Sequence, residues 1–90
     1  AEDEVRLSAE AGRIFAHWRT ALTWAFVADG FAESDADSLA VMSIATLEGA
    51  VVLCRSTRSS EPLHKVYEQL EFLVKAREFV QRNGLPDRRD

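Results

Sequence analysis

The chain has 90 residues, 47% of them hydrophobic, with 11 basic against 15 acidic side chains, a formal charge of −4 and a pI near 5.1. That length holds one small domain, and the acidic balance excludes nucleic-acid binding by this segment, because phosphate contacts need a basic face. The single cysteine, Cys54, excludes an internal disulfide or a thiolate metal cluster and fits a reducing, cytoplasmic setting.

The N-terminus, AEDEVRLSAE, is acidic and lacks the basic-then-apolar pattern of a signal peptide. Residues 2–29 read as a first helix. Leu7, Ala11, Ile14, Trp18, Ala21, Leu22 and Ala25 recur at three- and four-residue steps, and Phe15 and Phe26 widen the stripe. Acids crowd the first turn, where they complement the helix dipole. The stretch DGF closes the helix: Gly30 can take the left-handed conformation and Phe31 can fold back on the last turn.

A second helix is expected over residues 35–58. Ser34 is a natural N-cap, and Asp37 three residues on completes a capping-box-like pattern. Asp35 sits at the positive end of the dipole, Arg55 and Arg58 at the negative end. Val and Ile are frequent, but alternation is absent and the run is too long for an ordinary strand. Its apolar part falls short of the roughly 20 residues that span a bilayer and contains Glu48, so a soluble protein with no membrane partner is expected.

The third helix is expected over residues 62–82. Ser60 or Glu61 can cap it, and Pro62 fits its first turn. Leu63, Val66, Tyr67, Leu70, Leu73, Val74 and Val80 form an amphipathic stripe, and Gly84 with Pro86 stops the helix. Residues 83–90 are expected to be a disordered tail. The fold class is therefore all-α, three long antiparallel helices in a domain spanning residues 2–82.

Projected at about 100° per residue, the middle helix is apolar or small on every side over its central turns, so it must be covered all round. Two amphipathic neighbours cannot easily do this, which calls for a second copy of the chain, further parts of a longer chain, or both. Ala45 and Gly49 lie four apart on one face, where another backbone can approach closely. Glycine inside a helix costs about 1 kcal/mol relative to alanine, and a crossing near a two-fold axis would compensate it.

Glu48 is the sharpest candidate for chemistry. A buried carboxylate must be hydrogen-bonded, paired or protonated. It can hold a ligand, or bond a neighbouring helix through a Trp18 or Trp24 indole, a threonine hydroxyl or Arg55; the structural role is the expected one. No second carboxylate makes an acid–base pair with it. His17 and His64 lack partners at metal-ligand spacing, and neither a G-x-S-x-G elbow nor an activated cysteine is present. No enzyme, metal site or cofactor is expected. Phe15, Trp18, Leu22, Trp24, Phe26 and Met42 read by default as core, and alternatively as the lining of a cavity for an aromatic or lipophilic ligand, with Arg19 or His17 at its edge.

The order of three strings is more specific. FAHWRTALTWAFVADGF is followed by SLAVMSIATLEGAVVLCRSTRSSEPL and then VYEQLEFLV. Together they resemble the C-terminal regulatory domain of TetR-type transcriptional repressors, of the LmrA/YxaF-like branch, over about residues 5–74. The resemblance implies that the last two helices pair with their counterparts in a second subunit as a four-helix bundle. The interface would involve Ala45, Glu48, Gly49, Val52, Leu63, Val66, Tyr67, Leu70, Leu73 and Val74. It also implies a pocket for a small apolar or aromatic effector, with Phe15, Trp18, Arg19, Leu22, Phe26, Met42 and Thr46 as its lining. Effector binding in such proteins moves N-terminal helix-turn-helix heads and releases operator DNA. No basic recognition helix occurs in this chain, so DNA binding is expected from an N-terminal domain outside it. The rival readings are a self-contained helical interaction module, adaptor- or antitoxin-like, and an enzyme accessory domain using Glu48.

Overall fold

The computed structural model describes residues 1–85, which form three α-helices and no strand: α1, Glu2–Ala28; α2, Glu33–Thr57; and α3, Glu61–Asn83. The all-α expectation holds, with boundaries shifted by one or two residues. The chain divides into two units, Ala1–Ala45 and Thr46–Asp90, and the division falls inside α2.

The first unit comprises α1 and the start of α2. Glu2, Asp3 and Glu4 occupy the first turn of α1, and two pairs at i,i+3, Asp3–Arg6 at 3.0 Å and Glu10–Arg13 at 2.6 Å, lie on its exposed side. The end of α1 follows the expectation from DGF. Gly30 has φ 106°, its N–H donates to the Val27 carbonyl at 2.9 Å, and the Phe31 N–H donates to the Phe26 carbonyl at 3.1 Å. These two bonds make a Schellman motif, and its accompanying apolar contact is the edge-to-face pair Phe26–Phe31 with centroids 5.8 Å apart. Phe31 is buried together with Ala36, Leu39, Ala40 and Ser43. The last four recur at helical steps, so one face of early α2 is inside.

The start of α2 corrects the capping expectation. The Ala36 N–H donates to the Ala32 carbonyl at 2.9 Å, which places Ala32 at the cap and Ser34 within the first turn. Asp37 is not drawn back to a Ser34 box, because its carboxylate is taken by Arg19 of α1. A charge-assisted, two-point contact outweighs a neutral local one.

In the second unit, α2 runs on from Thr46 and ends at Thr57 rather than 58. The Ser59 N–H reaches back to the Cys54 carbonyl at 3.1 Å, and Arg58 takes the left-handed conformation with φ 52°. At the start of α3, Ser60 sits at the cap without a side-chain bond; the Ser59 hydroxyl instead accepts the Glu61 N–H at 3.1 Å. Pro62 lies in the first turn, as expected. Gly84 (φ 77°) ends the helix, its N–H donating to the Val80 carbonyl at 2.6 Å. Asn83 is helical, and Pro86 with the rest of the expected tail lies outside the described residues.

The length of α2 corrects a second point. Its 25 residues are long and apolar enough, by length and composition alone, to cross a membrane, because the alanines, serines and threonines between the aliphatic residues extend the run. A core helix of a globular protein meets the same description.

Arg58 carries an L side chain where glycine is the usual residue. Arg58→Gly is expected to stabilise the chain by roughly 0.5–1 kcal/mol, the left-handed penalty less the entropy of a freer unfolded chain. Urea midpoints of both forms at one protein concentration check this.

Candidate functional site

The first unit gathers part of the expected pocket set. Phe15, Arg19, Leu22 and Phe26 follow one another at steps of four, three and four along α1, and Phe15, Leu22 and Phe26 are half-buried. Arg19 Nε donates to Asp37 Oδ1 and Nη2 to Oδ2, both at 2.7 Å, while its guanidinium carbon lies 6.0 Å from the Phe15 ring centroid. Hydrogen bonds from Arg19, and then its charge, hold the Asp37 carboxyl below the usual carboxylate range against partial desolvation. The same pair raises the Arg19 guanidinium further. Arg19, expected at a pocket edge, is thus engaged as a clamp between α1 and the first turns of α2.

The remaining members are more exposed or fall in the second unit. Trp18 is 57% exposed and Trp24 58% exposed, and Met42 is exposed on α2. Thr46 belongs to the second unit. Asp37 was the residue that spacing could not supply: a carboxylate in a first turn reads locally as a cap, and nothing in the sequence fixes which residue across the turn it meets.

The expected pairing residues are spread over both units. Ala45 ends the first unit and is exposed. In the second unit Glu48 and Gly49 are exposed, as are Val51 at 39%, Val52 at 60% and Leu53 at 52%. Glu48 was expected to be buried; within the chain it reaches solvent, so no internal partner is required to offset its burial. A Cβ on Gly49 would meet nothing within 4 Å, so among the described residues no contact compensates glycine's cost in a helix. On α3, Leu63 and Tyr67 are exposed, and Val66, Leu70, Leu73 and Val74 are half-buried. An open cleft of about 450 Å³ lies where α2 gives way to α3, lined by Val51, Cys54, Arg55, Arg58, Ser59, Ser60 and Leu63.

His17 and His64 are both exposed, and among the described residues no three His, Cys, Asp or Glu side chains gather as metal ligands.

The Asp37 carboxyl is depressed in the folded chain, so its contribution is present above the unfolded value of about 3.9 and is lost as pH falls through the lower folded value. Asp37→Asn is therefore expected to melt at a lower temperature than the parent at neutral pH, the gap closing below the carboxylate range. Thermal melts from pH 7 to about pH 2 check this.

A family model for the C-terminal domain of LmrA/YxaF-like transcriptional regulators matches residues 1–69, that is, all of α1 and α2 and the first turns of α3. Two curated proteins of Mycobacterium tuberculosis strains, the uncharacterized HTH-type transcriptional regulators MT0206 and Rv0196, are each 40% identical over 68 residues, covering 76% of this chain. The chain spans about a third of their length, 35% in each case. No solved structure matches the chain. The chain belongs to the family of LmrA/YxaF-like C-terminal domains of TetR-type transcriptional regulators.

Proposed function

We propose that the chain is the effector-binding and dimerisation domain of a cytoplasmic TetR-type repressor, whose operator DNA is read by a helix-turn-helix domain outside these residues. The observation that carries this reading is the uncovered apolar surface of the second unit, where Val51, Val52 and Leu53 of α2 and Leu63 and Tyr67 of α3 all face solvent. Large exposed apolar patches mark interaction sites. A second copy is the partner the family favours, because a two-fold axis brings the same patch together twice. Glu48, Gly49 and Val52 on α2 then meet the partner, with Leu63, Val66, Tyr67, Leu70, Leu73 and Val74 on α3, and Ala45 extends the small-residue face.

The effector contacts fall in the first unit, on Phe15, Trp18, Leu22, Phe26 and Met42, with Arg19 as the polar element. A small aromatic or lipophilic molecule suits that lining, and displacement of the Arg19–Asp37 clamp is the step by which it would be sensed.

Sedimentation velocity at tens of micromolar is expected to give a dimer for this chain, and a monomer overturns the pairing. Gly49→Leu, which places a branched side chain where backbones are to cross, is expected to weaken association roughly tenfold or more. Unchanged association would move the crossing elsewhere. In fluorescence anisotropy the chain is expected to leave duplex DNA unbound, in keeping with its charge of −4.

A further inference from the structure

Two of the three helices give way to a glycine preceded by an acid or its amide: Asp29–Gly30 after α1 and Asn83–Gly84 at the end of α3. Asn83 is the only asparagine in the chain. Such a pair carries its own nucleophile, because the glycine amide nitrogen stands one residue from the side-chain carbon Cγ and no Cβ hinders its approach. Reaction depends on how the turn is held. Helical ψ keeps that nitrogen away from Cγ, and an N–H engaged in a hydrogen bond is not free to attack.

The two helix ends are fastened differently. After α1, the Gly30 N–H donates to the Val27 carbonyl and the Phe31 N–H to the Phe26 carbonyl. Phe31 is only 4% exposed and packs edge-on against Phe26. At the end of α3, the Gly84 N–H donates to the Val80 carbonyl at 2.6 Å, and Asn83 Nδ2 donates to the Phe79 carbonyl at 3.0 Å. The residue after this glycine, Leu85, is 76% exposed, and Asn83 is itself exposed. The apolar contact that locks the first end thus has no counterpart among the described residues at the second. A helix end held by exposed hydrogen bonds alone opens at almost no cost.

We infer that Asn83 is a site of spontaneous deamidation, gated by opening of the last turn of α3. In the open turn the Gly84 nitrogen gives up its proton to base and attacks Asn83 Cγ. The N–Cγ bond forms, the Cγ–Nδ2 bond breaks, and Nδ2 leaves as ammonia after taking a proton from solvent. The succinimide then takes up one water, which opens either imide C–N bond to leave aspartate or isoaspartate. No electron is gained or lost. The product acts on the helix that made it. The donor to the Phe79 carbonyl is gone, and a carboxylate stands at the negative end of the helix dipole, where it is repelled. The outer turn, with Phe79 and Val80, is loosened.

Ageing of the 90-residue chain in mildly alkaline buffer, followed by peptide mapping with electron-transfer fragmentation, tests this. Each site is timed in the folded chain and in the chain unfolded in guanidinium. At Asn83 the folded rate is expected to lie within several-fold of the unfolded one, with isoaspartate in excess over aspartate. At Asp29, where the same ring forms with loss of water, the folded rate is expected to fall many-fold below the unfolded one. Equal protection at the two sites, or an Asn83 that stays intact in the folded chain, overturns the inference. Amide exchange tests the consequence separately. In Asn83→Asp the amides of the last turn of α3 are expected to exchange several-fold faster than in the parent, and unchanged exchange overturns the loosening.

Discussion

A helix that is apolar or small on nearly every side calls for cover all round, and α2 is such a helix along its central turns, with Glu48 as the one exposed charge among them. The rest of the chain answers that demand unevenly. Burial is concentrated in the first unit, on Phe31, Ala36, Leu39, Ala40 and Ser43, while among the described residues of the second it falls on Ala50. Small domains bury their surface inefficiently, and here the deficit falls on Val51, Val52 and Leu53.

The two turns differ in quality, and the difference follows the sequence. Between α1 and α2, Gly30 accepts the left-handed conformation without cost, and Phe31 stacks edge-on against Phe26. Between α2 and α3 the same conformation falls on Arg58, and the helix restart leans on Ser59 rather than on a side-chain bond from Ser60. The first turn is anchored again by the Arg19–Asp37 clamp a short way along. The junction of α2 and α3 has no ion pair of that kind among the described residues.

Local features were legible in the sequence. Helical periodicity, Gly30, Phe31, Pro62 and Gly84 each act within a few residues, so their roles follow from spacing. What was not legible depended on partners far along the chain. Asp37 has a local role as a capping residue and a distant one as the partner of Arg19, and only coordinates choose between them. The stripe on α1 illustrates the same limit: periodicity identified Leu7, Ile14 and Trp18 as apolar-face residues but not that they would remain open while Phe15, Leu22 and Phe26 turned inward. Glu48 was read as buried because its neighbours are apolar, yet an apolar neighbourhood in sequence is not burial when the covering surface belongs to another molecule or another part of the protein.

The family match ends at Gln69, whereas α3 continues unbroken to Asn83. This continuation of roughly four turns, about 21 Å long, carries Phe72 and Phe79, two turns apart on one side and both well exposed. An α-helix advances about 100° of rotation per residue, so the direction in which those two rings point is set by the residue count that separates them from the matched region. Loss or gain of a single residue between Gln69 and Phe72 would swing both rings by more than a quarter of a turn about the axis, while everything before that residue kept its place. The outer end of α3 is thus a pointer whose bearing can be reset by length alone, independently of the surfaces on which the family resemblance rests.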